Sequence, residues 1–160
     1  MIDPMRLTTV TFLALTCLAF TGCATRTESF DISVKNESAQ PIIVWLTKLG
    51  GPVEDGWRSP EDVAINFVVG EEPLGGVVVA RGNTAETGQR KGKFDSGSRA
   101  VLRVYKGQMT LSEILANGSD SPNRTDVMLD PGISRFVVRD ASGKLSVQHA
   151  DAPVPPTTSR

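Results

Sequence analysis

Hydrophobic and polar side chains alternate in "FDISVKN", with Phe30, Ile32 and Val34 on one face of an extended chain and Asp31, Ser33 and Lys35 on the other. A period of two predicts a strand with one buried face. The next run, "IIVWLTK" from Ile42, is apolar on both faces, which predicts a strand covered on both sides, with Ile43 and Trp45 sharing one face. "NESAQP" between them supplies the turn. Further strands are predicted over residues 77–80, 89–94, 100–106, 125–129, 133–139 and 145–149. Asp130-Pro131-Gly132 and Ala141-Ser142-Gly143 are turn sequences, the second closing a hairpin because glycine tolerates positive φ. Two short helical turns are predicted. Ser59-Pro60-Glu61-Asp62 offers an N-cap serine with proline at the first helical position, and Thr110-Leu111-Ser112-Glu113 fits a capping box. The expected fold of residues 30–150 is all-β, an antiparallel β-sandwich of about seven to eight strands. Residues 151–160 hold three prolines without apolar periodicity and are expected to form a disordered tail.

Ahead of this domain the pattern changes. Arg6 is followed by an uncharged apolar run from Leu7 to Phe20, too short to span a bilayer comfortably, which predicts an export signal. Its end, Phe20-Thr21-Gly22-Cys23, resembles the lipobox of bacterial lipoproteins, although phenylalanine stands where such signals usually have leucine. The resemblance implies that residues 1–22 are a signal peptide, that Cys23 is lipidated and that residues 23–29 form a tether. It also implies a place in the bacterial cell envelope, with the acyl chains holding the protein on a membrane. Ala24 stands where aspartate would favour the inner membrane, so the expected site is the outer membrane, facing the periplasm. The alternatives are a plain secretory signal and an uncleaved anchor. Cys17 would leave with the leader, so a Cys17–Cys23 disulfide is not expected and the domain must be held by its core alone.

A second resemblance lies in the strands. "KNESAQPIIVWLTKLGGP" resembles the opening of the β domain of the von Hippel-Lindau family, and "GNTAETG" followed by "RVYKG" continues it. It implies a small β-sandwich that recognises a hydroxyproline-containing peptide, with Trp45 at the position of a tryptophan that lines the peptide pocket. The serine, histidine and second tryptophan that accompany it in the family have no counterparts in "TGQRKGKF".

Charge narrows the partners. With 17 Lys and Arg against 18 Asp and Glu the formal net charge is -1, so no basic footprint for nucleic acid is present. Catalytic chemistry is thinly supplied. The single histidine, His149, is read as a strand-end surface residue, "SGSR" lacks the Gly-x-Ser-x-Gly pattern, and "GEEPLGG" lacks the lysine and serine of a phosphate loop. Glu54, Asp55, Glu61, Asp62, Glu71 and Glu72 offer oxygen ligands without the spacing of a calcium loop. No catalytic residue, metal or cofactor is therefore expected, and Arg90, Lys91 and Lys93 are read as a solvated strand face.

The candidate contact residue is Trp57, flanked by Gly56 and Arg58 in a loop that also holds Glu54 and Asp55. Exposed, it would stack on a sugar or anchor a protein partner. The alternative is that the loop folds back and Trp57 covers the end of the sandwich over Val63 and Ile65. The expected function is that of a monomeric envelope lipoprotein presenting a binding module to an unidentified protein, peptide or glycan. A structural envelope-assembly lipoprotein is the alternative, and an unrecognised hydrolase a third.

Overall fold

The alternation beginning at Phe30 is realised in the computed structural model, which describes residues 25–65 and 76–151. Among the described residues eight strands form: β1 (Arg26–Asn36), β2 (Ile42–Leu49), β3 (Gly76–Val79), β4 (Thr84–Phe94), β5 (Arg99–Lys106), β6 (Arg124–Leu129), β7 (Gly132–Ala141) and β8 (Lys144–His149). They make two four-stranded sheets, β4-β1-β7-β8 and β3-β2-β5-β6, packed face to face as a β-sandwich.

Phe30, Ile32 and Val34 of β1 are buried against Ile42, Val44 and Leu46 of β2, Leu102 and Val104 of β5, and Phe136 and Val138 of β7. Each such side chain contributes about 1.5–3 kcal/mol on burial. β2 is buried on its second face too, as its two-sided apolar pattern predicts. Ile43 and Trp45 pack there with Tyr105, Val63 of helix α1 (Pro60–Ile65) and Ile114 of helix α2 (Leu111–Ala116). Both helices start where capping chemistry places them. Ser59 Oγ accepts from the Asp62 N–H at 3.1 Å, and Thr110 and Glu113 form a complete capping box.

Three features depart from the sequence reading. β1 starts at Arg26, so residues 26–29, expected as tether, pair with β4 from Arg26↔Phe94 to Ser29↔Lys91. Their side chains are polar, but ladder bonds are made by the backbone, to which hydropathy is blind. The β1–β7 pair is parallel, Phe30↔Gly132 through Asn36↔Val138, whereas the other strand pairs are antiparallel. Finally, β4 extends back to Thr84 across an irregularity between Asp31 and Ser33. There the Ile32 N–H donates to Thr87 Oγ1 at 3.1 Å, so a side chain satisfies that donor where the ladder is interrupted.

Candidate functional site

The segment that joins β2 to α1 carries the four predicted contact residues, and the structure brings them together as a clasp between the two sheets. Trp57 ends a single 3-10 turn (Asp55–Trp57) and is only 3% exposed. Its ring meets Phe30 and Phe94 edge-on, each at 5.4 Å between centroids, and its Nε1 donates to the Lys91 carbonyl of β4 at 2.9 Å. Of the two readings of Trp57, an exposed contact residue or a loop folded back over the sandwich, the first is thereby excluded. The loop does fold back, yet Trp57 joins the main core instead of Val63 and Ile65, because it fills the gap left between β2 and β4. Val63 belongs to the outer cluster, and Ile65 is exposed.

The other three residues hold this placement. Glu54 Oε2 accepts from Lys48 Nζ at 3.0 Å and from the Lys93 N–H at 2.9 Å, linking β2 to β4. Burial opposes ionisation of Glu54, but the bonds from Lys93 and Lys48 outweigh it and hold the carboxyl below the ordinary glutamate range. Lys48 also donates to the Lys93 carbonyl, and its ammonium lies 5.3 Å from the Phe94 ring centroid. Asp55 pairs with Arg58 at 2.7 Å near the surface. The Arg58 carbonyl accepts from Trp45 Nε1 at 2.8 Å, so both indoles are bonded to main chain. Trp45 is 1% exposed and covered by α1 and α2, and the pocket-lining place that the von Hippel-Lindau resemblance implies for it is filled by the protein's own side chains. Of the basic trio, Arg90 donates to the Gly56 carbonyl at 2.6 Å and so also secures the clasp.

A second polar constellation was not singled out from the sequence. On the outer face of the β2–β5–β6 sheet, Arg103 makes two bonds to Glu61 of α1, at 3.0 and 2.7 Å, and Arg124 makes two to Asp126, at 2.8 and 2.6 Å. Both arginine side chains are 7% exposed. Tyr105 lies beside them with its hydroxyl buried and without a hydrogen-bond partner among the described residues, and burial pushes its pKa up. Glu61 resists burial through bonds from its own N–H and from Arg103, and it titrates below the ordinary range. One signal marked this network: a lone arginine inside the apolar strand "AVLRVY" must be buried, and a buried cation needs a carboxylate.

A concavity lies at the end where the chain enters the sandwich. Arg26, Glu28, Ser98, Arg99, Asp130 and Pro131 line a groove of about 360 Å³ there. His149 lies elsewhere, on β8, with its ring 4.6 Å from that of Phe136. Among the described residues no three His, Cys, Asp or Glu side chains gather where they could hold a metal ion. Cys23, Glu71, Glu72 and most of the tail lie outside the described residues. Comparisons with protein-family models, with curated proteins and with solved structures found no match to this chain.

Proposed function

We propose that this chain is a lipid-anchored protein of the bacterial envelope whose β-sandwich is a monomeric interaction module held at a membrane surface, on the periplasmic face of the outer membrane. The observation that carries the reading is Phe20-Thr21-Gly22-Cys23 at the end of an uncharged apolar run. Two features support it. No described helix is long and apolar enough to cross a membrane, which leaves the segment ending at Cys23 as the candidate anchor. Strand β1 also starts three residues after that cysteine, at Arg26. The test is mass spectrometry of the mature N-terminus, with membrane fractionation of Cys23→Ser beside the parent. A diacylglyceryl thioether on Cys23, and an unprocessed or released Cys23→Ser protein, are expected. An unmodified N-terminus beyond residue 23, or a Cys23→Ser protein still processed and membrane-bound, would refute the anchor.

A second reading, envelope assembly through strand addition, is favoured by β3. Among the described residues β3 pairs only with β2, and Val77 and Val78 are 51% and 52% exposed. A half-exposed apolar edge offers backbone donors and acceptors to a partner's strand. A photo-crosslinker at Val78 would then give a discrete product in the envelope that Val77→Lys abolishes. Equal crosslinking from Gln148 on β8 would reject this reading.

A further inference from the structure

The shortness of the tether determines which end of the sandwich meets the membrane. Only Ala24 and Thr25 separate Cys23 from the first residue of β1, so the Cα of Arg26 lies within about 11 Å of a lipidated Cys23 even with the chain fully extended. That end is a continuous surface. Thr25 Oγ1 donates to Asp95 at 2.7 Å in the β4–β5 turn, and Ser98 of the same turn packs against Gly50 and Gly51. Those glycines have φ of +73° and +75°, a conformation that L side chains rarely adopt, and they lead the chain into Pro52 and Val53. The result is an apolar tip: Val53 is 67% exposed and Leu49 40%. Beside it runs the groove lined by Arg26, Arg99, Glu28 and Asp130, in which Arg26 pairs with Glu28 at 3.1 Å. Arg99 is exposed and makes no ion pair among the described residues.

We infer that this end of the sandwich is a membrane-contact surface, in which Leu49, Pro52 and Val53 enter the headgroup region of a phospholipid bilayer while the groove faces zwitterionic headgroups. The inference rests on the anchoring proposed for Cys23 and adds an orientation to it. The occupant follows from the tether, since a bilayer is the surface that the acyl chains bring within reach of these residues. The charge pattern agrees in kind: arginines suit phosphate, carboxylates suit the ammonium of phosphatidylethanolamine, and an apolar tip suits the interface. Because cations and carboxylates are nearly balanced at this end, contact depends on apolar burial and does not require anionic lipid.

The test uses the full chain, matured in cells, purified in detergent and reconstituted into phosphatidylethanolamine–phosphatidylglycerol vesicles. Val53→Cys carries an environment-sensitive fluorophore. Arg81→Cys, in the turn after β3, is the control at the far end of β1, an 11-residue strand about 33 Å long. On protein whose N-terminal mass includes the lipid, the label at 53 should emit to the blue and be quenched by nitroxide headgroup lipids, while that at 81 stays water-like. The contrast should persist in about 1 M salt, where screening falls to about 3 Å. Pro52→Cys repeats the measurement in case a label at 53 disturbs the loop. Equal behaviour of the two ends on lipidated protein would overturn the orientation and leave the anchor standing. An N-terminus without lipid would overturn the anchor itself, and this inference with it.

Discussion

The indole of Trp57 lies directly over Gly92 of β4. A Cβ at residue 92 would come within 2.7 Å of Trp57 Nε1 and 2.9 Å of Cε2, closer than a Cβ approaches other heavy atoms. The same arrangement recurs on the other sheet, where a Cβ on Gly76 would stand 2.7 Å from Trp45 Cε3. Each tryptophan thus needs a residue without a side chain on the neighbouring strand. Gly92→Ala should therefore destabilise the protein by about 1–3 kcal/mol, as overpacking does. Gly118→Ala, with nothing within 4 Å, is the control expected to be nearly silent. Urea midpoints of the two variants check this, and equal midpoints would refute it.

Both indoles are buried, at 1% and 3% exposure. Native tryptophan emission should be blue-shifted and resistant to a water-soluble quencher, and both properties should vanish together on unfolding. A quenchable native fraction would mean that the clasp opens and frees Trp57.

Asn36 is fully buried at the turn from β1 to β2. Its Nδ2 donates to the Gln40 and Val79 carbonyls, both at 2.9 Å, and its Oδ1 accepts from Ser38 N–H and Oγ. Asn36→Ala removes these four bonds at a cost of about 1–3 kcal/mol, although Ser38 Oγ still donates to the Gln40 carbonyl at 2.9 Å. Asn36→Asp should be worse at neutral pH, because an anion would face two carbonyl oxygens. Denaturation midpoints in the order Asn, Ala, Asp are expected, and an aspartate variant as stable as the parent would contradict the bonding.

Glu54 and Glu61 both titrate below the ordinary glutamate range in the folded protein. Groups depressed by folding bind protons more readily when unfolded, so their contribution is present above the unfolded value and is lost as pH falls through the folded one. Stability should therefore decline as pH falls below the ordinary glutamate value of 4.5, and Glu54→Gln combined with Glu61→Gln should flatten that decline. Both carboxylates are partly solvated, so the effect is modest for each. An unchanged acid slope in the double variant would show that other carboxylates carry it.

Most of the architecture was legible one element at a time. Hydrophobic pattern and turn residues located the eight described strands, β4 only in its second half, and capping residues located the two described helices, because these signals act over a few neighbouring residues. The two-sided burial of β2 was legible for the same reason. What was not legible depends on residues distant in sequence. Alternation is identical in parallel and antiparallel strands, so the parallel β1–β7 pair could not be read from it. The start of β1 at Arg26 follows from backbone pairing with β4, which polar side chains conceal. Trp57 shows the division most clearly. Its own neighbours, Gly56 and Arg58 among acids, are those of an exposed loop, and its burial is decided by Gly92 and the Lys91 carbonyl, more than thirty residues away, together with the Lys48–Glu54 bond between the sheets. Local pattern is written by covalent neighbours, whereas the fate of a loop aromatic depends on the cavity that other strands leave open for it.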